Sequence, residues 1–379
     1  MSAASISPAT ANLVHIDGVS EPVSFVPSRF NARTTAPDGT LVLYNSFTGA
    51  FTGFPGRLTE QVERLLSQTG FRSPVKGITK YLYERGYVVH DGTDELDRVR
   101  LLYGNQHHRS DQLELILLTS EECNFRCVYC YETFPRGTME PWVRSSVIQM
   151  VERRAKRLNT FSASYFGGEP LLGLEAIEEL APAFKRICEE HDIGKSSAIT
   201  TNAYLLNPDL FNRLVEWDIR MFQITIDGAP SDHDQHRILK GGGDTFHTIF
   251  ENVLATQASK EDFRVVLRVN FDHENLPRME EFLGMLEPLK NDPRYILRFY
   301  PVGTWGGPND DDLEICGLQG ERERQRLDVR ATELGLTAES RMPYLESRSG
   351  MGVCYAARPF NLLIGADGKI MKCTVALDT

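Results

Sequence analysis

Leu113-Glu-Leu-Ile-Leu-Leu-Thr119, an apolar strand-like run, leads through Ser120-Glu-Glu into Cys123-Asn-Phe-Arg-Cys127-Val-Tyr-Cys130. Three thiolates in one short loop can converge on a single metal centre, yet they supply one ligand too few to close a four-ligand site. Iron–sulfur clusters are held by Cys thiolates, and three protein ligands leave one iron open to an outside molecule. A loop of this kind points to chemistry. The same cysteines have a second reading, a closed structural zinc tetrahedron completed by His107 or His108.

Outward from this loop the chain alternates short apolar runs with amphipathic ones. Strand candidates at Leu113–Thr119, Ser162–Tyr165, Ser197–Thr200, Met221–Ile226, Phe263–Val269 and Tyr295–Phe299 are separated by helix candidates. Those helices are Pro141–Arg157, Leu174–Glu190, Pro208–Trp217, Thr245–Gln257 and Pro277–Leu289. A repeated βα order predicts a parallel sheet with helices outside it. Six strands at this pitch fit an incomplete barrel, in which chemistry collects at the C-terminal strand ends.

The 379 residues suffice for two or three domains. With 41 Lys and Arg against 52 Asp and Glu, the net charge of −11 gives no broad attraction to nucleic acid or anionic lipid, and neither is expected as a partner. No apolar run approaches the length of a membrane span. The N-terminus lacks the basic start and apolar core of a signal peptide. A cytoplasmic location is therefore expected, where seven clustered cysteines favour metal ligation over disulfides.

Residues 1–25, rich in Ser, Ala and Pro, read as disordered. Residues 26–105 read as a small α+β domain. A turn at Pro37-Asp-Gly39 precedes the strand Leu41–Tyr44, then helices follow at Thr59–Gln68, with Thr59 as N-cap, and at Ser73–Arg85, and last a strand at Gly86–His90. Sheet followed by helices is compatible with a winged-helix-like module, or with a lid over the barrel. The segment 306–349 alternates acidic and basic residues and reads as a solvated connector.

The Cys-x3-Cys-x2-Cys run, with Tyr129 before the last cysteine, resembles the signature of radical S-adenosylmethionine (SAM) enzymes. That resemblance implies a radical SAM core over 106–305, a (β/α)6 partial TIM-type barrel. It also implies a [4Fe–4S] cluster on Cys123, Cys127 and Cys130 whose open iron is chelated by SAM. Further motifs follow in the family's order. Gly167-Gly-Glu-Pro170 is similar to the element that binds the SAM amine through Gly167, Gly168 and Glu169; a plain turn before a helix is the alternative. Thr201-Asn-Ala203 is similar to the family's Thr-Asn-Gly, with Ala203 in place of Gly and Asn202 implied at the SAM pocket.

Thr225-Ile-Asp-Gly228 with His233-Asp-Gln-His-Arg237 resembles the run of the peptide-modifying branch. It implies Thr225 and Asp227 near the ribose and methionine of SAM, and Arg237 paired with the methionine carboxylate. A structural salt bridge is the other reading of Arg237. Asn270, ending the fifth strand, is implied at the adenine.

Toward the C-terminus, Cys354 and then Gly368-Lys-Ile-Met-Lys-Cys373, with a hairpin turn at Ala366-Asp-Gly368, resemble the start of a SPASM or twitch domain. Residues 350–379 are thus expected to begin an auxiliary iron–sulfur site on Cys354 and Cys373, in a truncated form or with Cys316 as a further ligand. Cys188 reads as a core residue.

The family likeness implies maturation of a ribosomally made precursor peptide by a thioether or carbon–carbon crosslink. The N-terminal module would hold the leader segment as an added strand, and flavodoxin or ferredoxin would supply electrons. Formylglycine formation, as in anaerobic sulfatase maturases, is the alternative. Thr374 stands where those enzymes carry an acid, and Phe166 where they carry Gln. A third possibility is a cluster- or zinc-stabilised peptide-binding protein without turnover.

Overall fold

A computed structural model of the chain describes residues 21–107, 109–313, 315–336 and 354–376. These residues divide into two compact units, one of residues 21–107 with Cys354, the other of the described residues from 109 to 336 with 355–376. Residues 1–20, the start of the expected disordered stretch, lie outside the description, and β1 begins at Val23, before the expected boundary at 26.

The first unit carries two small antiparallel sheets. β1 (Val23–Pro27) is flanked by β5 (Phe71–Ser73) and β6 (Val88–His90), and β2 (Asn31–Thr35), β3 (Leu41–Asn45) and β4 (Phe51–Phe54) form a meander. Helices α1 (Arg57–Leu66), α2 (Gly77–Glu84) and α3 (Glu95–His107) complete it. Phe25, Leu43, Phe54, Val62, Leu82 and Tyr87 form its core.

The turn at Pro37–Gly39 is present, with Gly39 at φ 82° and its N–H on the Ala36 carbonyl at 2.9 Å. Two helix starts differ from expectation. α1 begins at Arg57 behind Gly56, which puts Thr59 inside the first turn; Ser73 ends β5, and Pro74 delays the second helix to Gly77. Asn45, fully buried, is the polar hub of this unit. Its amide donates to Ser28 Oγ (3.0 Å), Asn31 Oδ1 (2.9 Å) and the Gly86 carbonyl (2.9 Å), and its oxygen accepts from Phe47 and Thr48 N–H.

The second unit is built on an eight-stranded sheet. Six parallel strands lie in chain order: β7 (Gln112–Ser120), β9 (Thr160–Gly167), β10 (Gly194–Thr201), β11 (Met221–Thr225), β13 (Arg264–Phe271) and β14 (Tyr295–Pro301). Between them run α4 (Pro141–Ala155), α5 (Leu174–Glu190), α6 (Pro208–Glu216), α7 (Pro230–His236), α8 (Phe246–Ala255) and α9 (Met279–Met285). This is the expected α/β order. α5 shows why such helices dock: Ile177, Leu180, Ala181, Phe184, Ile187 and Cys188 fall on one helical stripe and are buried. Phe184 meets Phe161 of β9 edge to face at 4.9 Å. Cys188 is a core residue, as expected.

Two additions were not legible. A short ribbon pairs β8 (Phe125–Cys127) with β12 (Arg237–Leu239), setting Arg237 opposite Cys127. The charged stretch expected as a connector contains α10 (Gly317–Glu333). Its charges pair along the helix, Arg324 bridging Glu321 (2.6 Å) and Asp328 (2.7 Å), while Leu327 and Ala331 join the main core. Residues 337–349 lie outside the description.

The C-terminal hairpin of β15 (Asn361–Ile364) and β16 (Ile370–Met371) turns at the predicted Ala366–Gly368. It continues the main sheet, β15 running parallel to β7. Glu121, almost fully buried, fastens it: one carboxylate oxygen accepts from Ala366 N–H at 2.9 Å and the other pairs with Arg136 at 2.7 Å. Arg136 in turn reaches Asp367 at 2.8 Å.

Candidate functional site

Each motif falls at a C-terminal strand end. The cysteine loop leaves β7, Gly167-Gly-Glu leaves β9, Thr201-Asn leaves β10, Thr225 and Asp227 close β11, and Asn270 lies near the end of β13. A cavity of about 200 Å³ collects Cys123, Cys127, Tyr129 and Cys130 with Gly167, Gly168, Asn202, Thr225, Arg237 and Asn270. A larger open groove, about 660 Å³, is lined by Lys185, Phe211, Arg220 and Lys260 and contains none of the motif residues.

Gly167 and Gly168 line the cavity and also lie against the cysteine loop. A Cβ on Gly167 (φ 131°) would lie 2.0 Å from the Ser120 carbonyl oxygen, and one on Gly168 2.5 Å from that of Glu122. The glycines let this turn lie directly on the backbone that enters the cysteine loop. Gly168 N–H donates to the Ser120 carbonyl (3.0 Å) and Glu169 N–H to that of Glu122 (2.9 Å). Gly173 makes a third such approach, where a Cβ would lie 2.1 Å from the Thr119 carbonyl oxygen, and no motif marks it.

Glu169 is fully buried. Its Oε1 accepts from Leu171 N–H (2.9 Å) and Thr201 Oγ1 (2.7 Å), and its Oε2 from Asn202 N–H (2.7 Å). Burial raises its pKa and these donors oppose the rise. Three protein donors leave a carboxylate one acceptor position for a ligand ammonium. Asn202 both closes the turn after β10 and lines the cavity: its Oδ1 accepts from Tyr204 N–H (3.0 Å) and its Nδ2 donates to Asn124 Oδ1 (2.7 Å).

A second buried network surrounds Asp227. Its Oδ1 accepts from the backbone N–H (3.0 Å) and Nδ2 (3.1 Å) of Asn270, and its Oδ2 from the Tyr129 hydroxyl. Arg237 Nη1 donates to the Tyr129 oxygen at 2.9 Å. Burial works against the charge of Arg237, but Tyr129, Cys127 and Asp227 more than offset it and raise its pKa. Its Nε, buried, has no hydrogen-bond partner among the described residues. Arg237 therefore forms no structural salt bridge with a carboxylate there; it presents an unanswered donor beside the cysteines, which fits an anionic ligand group.

His233 is fully buried and neutral, its pKa pushed well down by burial and then by Arg237 and His236. Its Nδ1 accepts from Asp227 N–H at 3.1 Å, so the ring proton sits on Nε2.

Burial pushes the Cys123 thiol up to about 12 and the Cys130 thiol up to about 11, and raises that of Cys127. A bound metal deprotonates such thiols. The three share one cavity, yet among the described residues no group of three or more His, Cys, Asp and Glu side chains converges to hold a single ion. Three thiolates around one cavity can supply the protein ligands of an iron–sulfur cluster and leave one iron open. The expected fourth zinc ligands, His108 and the His107 side chain, lie outside the described residues. Glu132, at the cavity wall, is held up at about 7 by burial and then by Glu121. Glu132, Tyr131, Arg268 and Trp305 also line the cavity, with no motif to announce them.

Cys354 is exposed and belongs to the other unit; Cys373 is half-buried; Cys316 is buried just before α10. Thr374, following Cys373, donates its N–H to the Tyr355 hydroxyl at 2.9 Å.

Residues 117–286 match the radical SAM superfamily, and the chain carries a radical SAM domain. Proteins of this family use a [4Fe–4S] cluster and SAM. Among its relatives, the radical SAM cyclopropyl synthase TigE of Paramaledivibacter caminithermalis is 24% identical, covering 54% of this chain and 46% of that protein. The cysteine-type anaerobic sulfatase-maturating enzyme of Clostridium novyi is 25% identical, covering 48% and 52%. The chain thus spans about half the length of these curated relatives. Two solved structures share the fold. The sulfatase-maturating enzyme anSMEcpe with bound AdoMet has a TM-score of 0.54 at 18% identity, covering 70% of this chain and 75% of that one. SuiB of Streptococcus suis bound to precursor peptide SuiA has a TM-score of 0.52 at 14% identity, covering 94% and 85%.

Proposed function

We propose that the protein is a radical SAM peptide maturase, which abstracts hydrogen from a ribosomally made precursor peptide and installs a thioether or carbon–carbon crosslink. The observation that carries this reading is the single cavity joining three thiols to an Arg237 whose Nε is unanswered. Cys123, Cys127 and Cys130 would hold the cluster, leaving one iron for SAM. When bound, cluster and SAM together supply a 5′-deoxyadenosyl radical.

The chain's own residues do the positioning. Arg237 offers a guanidinium fork to the methionine carboxylate, and Glu169 its remaining acceptor to the amine. Gly167 and Gly168 keep that carboxylate next to the cysteine loop. Asp227, held by Tyr129 and Asn270, faces the ribose side with Thr225, and Asn270 continues to the adenine. Holding reactants in register is worth far more than any single contact.

The N-terminal unit is assigned to the leader segment. β2, exposed along four of its five residues, is an edge strand with β3 as its one strand partner among the described residues, and would accept an added strand. Cys354 and Cys373 would begin an auxiliary cluster, a flavodoxin or ferredoxin would deliver electrons, and the setting would be the cytoplasm. Among the described residues no helix is long and apolar enough to cross a membrane. Formylglycine formation is less well supported, because Thr374 and Phe166 replace the acid and the Gln of those maturases.

The test is anaerobic reconstitution with iron and sulfide, then dithionite and SAM, reading iron per chain and 5′-deoxyadenosine together. About four irons with deoxyadenosine support the reading, and about eight add a second cluster. Zinc in place of iron, with no deoxyadenosine, overturns it.

A further inference from the structure

Arg268 lies two residues before Asn270 on β13, so strand alternation turns both toward the same cavity. The register sets it beside Thr225 of β11. Its Nε donates to Asn270 Oδ1 at 2.9 Å, and its guanidinium carbon lies 4.3 Å from the centroid of the Tyr300 ring. These two contacts fix the plane of the fork. Among the described residues no carboxylate pairs with it, and its Nη groups donate to none of them.

A half-buried guanidinium, oriented on one side and unanswered on the other, is a receptor for a planar anion. Arg237, on the β12 ribbon opposite Cys127, already stands where the carboxylate of SAM would be met. Arg268 is on another strand, with the wall residues Trp305 and Phe166 offering apolar surface to the carbon chain of a second ligand. The net charge of −11 gives an acidic peptide no general attraction, so its affinity has to come from a local contact of this kind.

We propose that Arg268 binds a carboxylate of the substrate peptide, an Asp or Glu side chain or a chain-terminal carboxylate close to the residue that is modified. This rests on the radical SAM reading above and names its substrate class. SAM also carries a carboxylate, so the test has to separate the two sources.

The reconstituted full chain, saturated with SAM, is titrated with N-acetyl-aspartate methylamide and with its neutral isostere N-acetyl-asparagine methylamide, followed by ligand-observed NMR. The aspartate probe is expected to bind about tenfold tighter or more, the scale of a charge-assisted pair. Arg268→Gln should erase that preference while SAM affinity falls far less. Equal binding of the two probes to the unaltered chain, or a preference that survives Arg268→Gln, overturns the proposal. So does a loss of SAM affinity as large as the loss of aspartate affinity, which would give Arg268 to the carboxylate of SAM. If Arg268→Gln fails to fold, Arg268→Met carries the test, since it keeps the apolar stem and removes the charge; unchanged selectivity there overturns the proposal. Deoxyadenosine is assayed on the same preparation, so an Arg268-dependent preference without SAM cleavage would sink the enzyme reading and leave the carboxylate site standing.

Discussion

The two units each organise themselves around a buried polar side chain, and they do it differently. Asn45 in the N-terminal unit finds all its partners within the chain. Around Asp227 the network stops short: Arg237 Nε, His233 Nε2 and His236 Nδ1 are buried with no hydrogen-bond partner among the described residues. In the first unit no such atom occurs among the described residues. Leaving a buried polar group unanswered costs about 1–3 kcal/mol; Arg144, Tyr165, Ser197 and Asn361 of the same unit carry such atoms away from the cavity, so the contrast points to a ligand only where the residue also lines the cavity, as Arg237 does.

That contrast can be broken at its strongest point by Cys127→Ala. The expected outcome is loss of cluster iron and of all deoxyadenosine formation; retained SAM cleavage would remove the cysteine loop from the chemistry. Gly167→Ala comes next. A Cβ 2.0 Å from the Ser120 carbonyl has only backbone to push against, so a loss of about 3 kcal/mol is expected, read as a lower denaturant midpoint, with SAM affinity reduced alongside.

Asn45→Ala probes the saturated network. It should cost about 2 kcal/mol by removing the donor to Asn31 Oδ1 and the Gly86 carbonyl. Hydrogen exchange should rise in β1–β6 only, and SAM cleavage should persist. A drop in SAM cleavage equal to that of Gly167→Ala would erase the distinction between the units. Ala203→Gly is the smallest change. Ala203 sits at φ 60° where the related motif has Gly, and relief of about 1–2 kcal/mol is set against a lost buried methyl and a looser unfolded chain. Stability within about 1 kcal/mol of the parent is expected by thermal melting.

The strand-and-helix rhythm of 113–299 was legible because burial on both faces demands long apolar runs in a parallel sheet. The cavity residues were legible where chemistry dictates residue type, as at Cys123, Cys127 and Arg237. What stayed hidden is what tertiary structure decides. β8 and β12 are three residues each, too short for periodicity to register, yet they carry Arg237 to Cys127. α10 has its apolar stripe masked by charges that pair only once the helix exists. Arg268 and Glu132 belong to no motif, and cavity walls are written one residue at a time across distant strands. At Gly167 and Gly168 the motif names a ligand, but nothing in the sequence states that their backbone also lies against Ser120 and Glu122.

The Glu121 fastening bears on when the site can exist. The hydrogen bond from Ala366 N–H to Glu121 joins positions 245 residues apart in the chain. Synthesis proceeds from the N-terminus, and contacts of such separation close late. The ribosome can complete β7 and the cysteine loop, and even the helices that follow, before the hairpin that braces them has been made. Final support for the loop therefore arrives only once residue 366 has been made, which leaves the loop most open to oxidation before that point in translation.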